Sequence, residues 1–275
     1  MAEDKVFEDK SKTDINFNSD NAWRLLITKT KSYKEQMAID EANIEVVASG
    51  KSPPIVRVCY FERPSVSIGF FQSVYKEVNV PLCAKLGVEI FRRMTGGGAV
   101  YKDPRREINY SFIIPERDER VSLNVFESYK IICGAIIKGL NEEFGINAQF
   151  KPINDIVVSG KKISGNAQTR RDGVILQHGT ILLDVDYDQM FSLLRVPKIK
   201  VTDKKIASVK DRVTSLSAVL GRKVLFDEVE RAIIRGFEDY FKIKLIPDEL
   251  TKGELKRERF LLNYKYGTEG WNFWR

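Results

Sequence analysis

A chain of 275 residues can bury a large core, and 43% hydrophobic against 30% charged residues is the balance of an ordinary globular protein. No stretch approaches the ~18 consecutive apolar residues of a membrane span. The N-terminus lacks the basic flank and apolar centre of a secretory signal, so we expect a cytoplasmic protein with no membrane partner. Residues 1–20, with six acidic and three basic side chains, read as a disordered or loosely attached tail ahead of one domain spanning 21–275.

From Trp23 the chain alternates strand and helix patterns. Trp23–Ile27 reads as a strand, and a helix is expected from Ser32 to Ala48, with Tyr33, Met37, Ile44 and Val47 on one face. Ile55–Phe61 and Ser65–Phe71 are strands; in the second, Val66, Ile68 and Phe70 alternate with small residues and could line an apolar slot. A short helix, Pro81–Leu86, stops at Gly87. Strands at Glu89–Arg93 and Ala99–Lys102 flank three glycines, and Ile108, Tyr110, Phe112 and Ile114 alternate in the next strand.

The longest helix is expected over Ser122–Phe144, its inner stripe holding Phe126, Tyr129, Cys133, Ile136, Ile137, Leu140 and Phe144. Strands follow near Asp155–Ser159, Lys162–Ala167 and Val174–Asp184. The remainder looks mainly helical, including Asp227–Phe241 with an Asp227…Glu230 capping pattern and a stripe of Val229, Ile233, Phe237 and Tyr240. The whole is α+β with a mixed sheet and a helical C-terminal portion.

Net charge +7 raises the question of a nucleic-acid partner, and residues 195–212 concentrate seven basic side chains against two acidic ones. No zinc-finger, RRM or basic-zipper pattern accompanies them, so we expect no nucleic acid and read the segment as a solvated face or a basic loop over phosphates. Cys59, Cys83 and Cys133 have no CxxC spacing, which leaves three buried thiols as the reading.

Two segments carry the chemistry. Arg92-Arg93-Met-Thr-Gly96-Gly97-Gly98-Ala99-Val100-Tyr101 sets two arginines beside three residues without side chains, where backbone N–H groups can meet an anion. It fits neither the Walker A nor the dinucleotide pattern, since a strand follows. Asn154-Asp155 and Gly160-Lys161-Lys162-Ile-Ser-Gly165 supply an ammonium on a strand-like stretch, and His178, the one histidine, lies in His178-Gly-Thr180.

Together with Asn109-Tyr-Ser111, Ser208-Val-x-x-Arg-Val-Thr214 and Trp271-Asn272, these segments resemble the lipoate–protein ligase A family, related to biotin–protein ligases. The resemblance implies a largely antiparallel sheet flanked by helices. It also implies an ATP-dependent ligase that converts lipoate to lipoyl-AMP and passes the lipoyl group to a lysine of a lipoyl-accepting domain, of the 2-oxoacid dehydrogenase E2 or glycine-cleavage H type.

By position, Arg93, Gly98, Ala99, Val100, Tyr101, Asn154, Asp155 and Lys162 would contact ATP, and Lys162 would be catalytic. Lipoate would meet Arg93, Gly96, Gly97, Lys162 and His178, with Asp155 orienting Lys162 or holding Mg2+. The alternative on this scaffold is an ATP-independent octanoyl or lipoyl transferase with a cysteine nucleophile, but no cysteine follows Cys133. Long ligases continue past Trp271-Asn272 into an accessory domain, which we do not expect here. A separate accessory small subunit for adenylation, or action on preformed lipoyl-AMP, is therefore expected.

Overall fold

The computed structural model describes residues 21–195 and 211–275; the acidic N-terminal stretch and five lysines of the basic segment lie outside the described residues. Strand β1 (Ala22–Thr30) leads into helix α1 (Tyr33–Ala48). Ser32 caps α1, accepting the Lys34 N–H at 3.2 Å, while Glu35 accepts the Ser32 N–H at 3.1 Å. Next come β2 (Ile55–Phe61), β3 (Ser65–Ile68), α2 (Val74–Glu77), α3 (Val80–Leu86), β4 (Glu89–Arg92), β5 (Val100–Lys102) and β6 (Glu107–Pro115). Helix α4 (Val125–Phe144) precedes β7 (Ala148–Lys151), β8 (Asp155–Val158), β9 (Lys161–Arg171) and β10 (Val174–Leu182). The C-terminal part holds α5 (Tyr187–Leu193), α6 (Leu216–Leu220), α7 (Phe226–Phe241), β11 (Lys244–Asp248), α8 (Lys252–Leu261), a π-helical turn (Leu262–Tyr266) and α9 (Glu269–Asn272).

Eight strands form one mixed sheet in the order β11-β1-β2-β6-β10-β9-β8-β7. Its two pairings at β1 are parallel and the others antiparallel, which is the α+β architecture expected. A small sheet, β4-β3-β5, stands beside it. Alternation assigns the two faces of β6: Tyr110, Phe112 and Ile114 join a core with Ile132, Ile136, Val229 and Phe237 of α4 and α7. Ile113 joins Leu26, Ile44 and Leu176 on the opposite, α1-covered face. Helices α4 and α7 approach closely because Gly139 and Gly236 carry no side chain; a Cβ on Gly139 would overlap the Ala232 carbonyl oxygen.

Several expectations change. Phe126 is 60% exposed, because α4 starts at Val125 under an Asn124 cap and its first turn lies beyond the core. Tyr240 is 41% exposed; its ring rests against Gly134 of α4. Glu228, not Glu230, caps α7, accepting the Leu225 N–H at 2.8 Å. Strand β3 ends at Ile68, where Gly69 allows close approach of the glycine loop, so Phe71 is left exposed.

Candidate functional site

The α1-covered face of the large sheet is polar where it meets the small sheet. Arg57 on β2 and His178 on β10 both stand opposite Ser111 of β6, so strand register brings them level. Asp40 of α1 bridges them: Arg57 Nη2 lies 2.5 Å from Asp40 Oδ1, and His178 Nδ1 lies 3.2 Å from Asp40 Oδ2. His178 Nε2 is 2.8 Å from the Thr95 hydroxyl, at the start of the glycine loop. Burial pushes the His178 pKa down, with Arg93 and Lys102 adding to the effect, so the ring is neutral at neutral pH although Asp40 opposes the shift.

Arg93 is buried and makes no ion pair among the described residues. Its guanidinium folds the loop around itself, donating to Gly96 O at 2.7 Å, Gly98 O at 2.9 Å and Ser67 Oγ at 3.1 Å. Burial lowers its pKa to about 10, far above neutrality, so a compact cation sits behind the loop. Gly97 has φ +97°, a region L-residues rarely adopt, and a Cβ there would lie 2.8 Å from Arg93 Nη2. A trans peptide sets its N–H opposite its C=O. With the Gly96 and Gly98 carbonyls held by Arg93, the Gly97 and Ala99 N–H groups face the other way, and neither has a partner among the described residues.

The second element is Lys162 on β9, whose ammonium is 2.6 Å from Asp155 on β8. These side chains are 36% and 29% exposed. The Lys162 backbone is clamped by residues 212–214: its N–H donates to Arg212 O at 2.7 Å, and its C=O accepts from Thr214 N–H at 2.8 Å. A Cβ on Gly165 would lie 2.6 Å from the ammonium, so the glycine leaves room for it.

A cleft of about 280 Å³ joins the two elements: Arg93, Gly97, Gly98, Ala99 and Val100 line it from the loop, Asn154 and Lys162 from the second element, and His178 lines it as well. Tyr33, Met37 and Leu182 add apolar surface. Of the remaining residues expected at the site, Asp155 reaches it through Lys162. Gly96 lies behind the loop, its carbonyl held by Arg93, and Tyr101 is buried in the small-sheet core. Arg92 is not an anion ligand: it donates to the carbonyls of Gly69, Phe70, Gln72, Trp271 and Asn272, while Asn272 and Trp271 clamp its backbone. Val66 and Ile68 do not line the slot, since they face the small-sheet core with Val74 and Ile90. Asp155 belongs to no metal-binding cluster of three or more His, Cys, Asp or Glu among the described residues.

Sequence patterning missed Lys102, Asp40 and Thr95. Lys102 lines the cleft and donates to Glu107 at 3.0 Å, Asn109 at 2.6 Å and Thr180 at 2.8 Å. Asp40 left a signal: it falls on the same helical stripe as Met37 and Ile44, and a carboxylate there needs a buried partner. A wider groove of about 560 Å³ near Lys29, Tyr60 and Phe226 shares no residue with the cleft. No described helix is long and apolar enough to cross a membrane.

All three thiols lie outside the cleft. Cys59, Cys83 and Cys133 are buried, and burial raises each pKa, to about 11 for Cys83 and about 12 for Cys133. None is a poised nucleophile as the chain stands.

The lipoyl protein ligase A/B catalytic-domain model matches residues 32–238. An octanoyltransferase LipM of Brevibacillus brevis is 34% identical, covering 92% of this chain and 99% of its own. A bipartite lipoate protein ligase from Thermoplasma acidophilum superposes with a TM-score of 0.83 at 32% identity, covering 92% of this chain and 96% of that one. A lipoate-protein ligase A bound with ATP gives 0.79 at 30% identity, covering 92% and 98%. The expectation of an ATP-dependent ligase is corrected by the curated relatives: eight that match 91–92% of this chain, at 32–36% identity, are all octanoyltransferases. A transferase moves an acyl group that is already activated, with no adenylation step. By fold, motif order and near-full-length similarity, the chain belongs to the lipoyl protein ligase A/B catalytic-domain family.

Proposed function

We propose that this chain is an ATP-independent acyltransferase that moves an octanoyl or lipoyl group from an activated thioester to a lysine of a lipoyl-accepting domain. The observation that carries this reading is the cleft itself: a slot with apolar surface from Tyr33, Met37 and Leu182, lined on one side by an ammonium about one-third exposed and on the other by the glycine loop. Near-full-length similarity to octanoyltransferases supports the acyl class. The Thermoplasma ligase is described with its E2 lipoyl domain, which makes domains of the E2 or glycine-cleavage H type the acceptors to test.

Tyr33, Met37, Val100 and Leu182 would take the acyl chain. Burial is worth ~0.8 kcal/mol per methylene, or about 5 kcal/mol for an octanoyl chain. The acceptor amine attacks the thioester carbonyl, the C–S bond breaks, and the amine proton leaves with the thiol. Negative charge builds on the carbonyl oxygen in between. Lys162, fixed by Asp155 and the 212–214 clamp, together with the Gly97 and Ala99 N–H groups, would stabilise that oxyanion more than the neutral thioester. With no thiol in the cleft, transfer is direct, without an acyl-cysteine.

The test offers the purified chain an E2 lipoyl domain with an octanoyl thioester and no ATP, and weighs the domain by mass spectrometry. A domain heavier by one octanoyl group supports the reading. Modification only with free acid plus ATP overturns it.

A further inference from the structure

Thr95, His178 and Asp40 are arranged like a hydroxyl–imidazole–carboxylate relay, with His178 at 2.8 Å from the first and 3.2 Å from the last. Thr95 is wholly buried and absent from the cleft wall, so its hydroxyl is placed to hold, not to attack. Asp40 is a carboxylate oriented by Arg57, which Gln36 O grips at 2.9 Å and Thr28 Oγ1 at 3.1 Å. A carboxylate only accepts, so the ring proton facing it must sit on Nδ1. In the neutral ring Nε2 is then an acceptor, and the Thr95 hydroxyl must be the donor.

From there the connection runs into the loop. The Thr95 carbonyl accepts the Phe70 N–H at 2.9 Å, and a Cβ on Gly69 would overlap the Gly97 carbonyl oxygen, so the loop is seated against residues 69–70 on one side and His178 on the other. Arg93 sets the peptide planes within the loop, whereas Thr95 sets where the loop lies over the cleft.

We infer that Asp40 is a positioning residue: by fixing the proton of His178 on Nδ1 it makes Nε2 the acceptor that pins Thr95, and with it the glycine loop over the acyl cleft. The predicted effect on transfer rests on the acyltransferase reading; the ring's protonation pattern does not.

His178 is the one histidine in the chain, so histidine labelled with nitrogen-15 gives a single imidazole and needs no assignment. The expected spectrum at neutral pH is a neutral ring protonated on Nδ1. A ring protonated on Nε2 overturns the inference whatever the protein catalyses. Asp40→Asn should shift the ring toward the other tautomer, with folding checked by circular dichroism because Arg57 loses its counter-charge. Thr95→Val keeps shape and charge while deleting the hydroxyl. It should lower kcat between about 10- and 100-fold with KM little changed, because displacing an oriented group affects the transition state more than binding. Thr95→Ser should restore kcat. Unchanged kcat in a folded Thr95→Val variant that acts on the thioester overturns the positioning role, as does an acyl group found on Thr95 by intact-protein mass spectrometry.

Discussion

The two walls of the cleft are built on opposite terms. The glycine-loop wall is fixed by buried groups: Arg93 on its carbonyls, His178 on Thr95, and Asp40 and Arg57 behind them. The Lys162 wall carries an ion pair about one-third exposed, between the short strand β8 and the edge of β9, with a register shift between Ile156 and Val157. A buried network holds a geometry because losing any member leaves a desolvated polar group behind, whereas a partly exposed pair can exchange its partner for a ligand at little cost. The difference teaches a division of labour: the buried wall is held rigidly in place, while in the proposed reaction the open wall brings the charge. Changes in the first should register in stability and kcat together, and changes in the second in chemistry alone.

The largest break of that contrast is Lys162→Ala. Removing a preorganised charge facing a developing oxyanion should lower kcat about 10²- to 10³-fold. Stability should move by less than about 1 kcal/mol, because an exposed pair contributes little. Transfer rates alongside urea unfolding check both halves. A folded variant with normal rates would remove Lys162 from the chemistry.

A smaller effect sharpens the contrast from the buried side. Burial lowers the folded-state pKa of His178 from an unfolded value near 6.5, so the unfolded chain binds more protons just below that pH. This contribution to stability is fully present above about pH 6.5 and is lost as pH falls, by up to about 1.4 kcal/mol per unit. Unfolding free energies between neutral pH and about pH 5.5 should decline less steeply in His178→Gln than in the parent. Equal slopes would mean that the ring already takes up its proton in the folded state.

Periodicity made much of this fold legible. Strand β2 is Ile55–Phe61 as expected, α1 is capped by Ser32 and runs to Ala48, and Gly87 and Gly145 stop their helices in the left-handed region. The glycine loop and Lys162 were legible because motif order is a property of the chain. What was hidden depends on pairs far apart. Asp40 meets a histidine 138 positions away, and Glu254 is buried only because Arg24, 230 positions away, neutralises it at 2.8 Å. Helix α8, Lys-Gly-Glu-Leu-Lys-Arg-Glu-Arg-Phe-Leu, has too weak an apolar stripe to declare which charge turns inward. The paired arginines misled for the opposite reason. Adjacent strand positions face opposite ways, so Arg93 reaches the cleft while Arg92 ties the C-terminal turn.

The smallest expected effect on transfer bears on whether either wall uses covalent chemistry. Cys59 sits under Ser111 on β2, Cys83 in the small-sheet core, and Cys133 in α4 beneath Gln177, none of them lining the cleft. A thiol with a pKa near 11 holds only about one part in ten thousand as thiolate at neutral pH, too little to act without a base beside it. Replacing all three with alanine should cost about 1 kcal/mol each in packing while leaving kcat within about twofold. Direct transfer requires that outcome, because it uses no thiol of the protein. Loss of transfer in a folded triple variant, or a trapped acyl-thioester on one cysteine of the parent, would instead require the buried core to open during turnover. The division between a fixed wall and a reactive one would then fail.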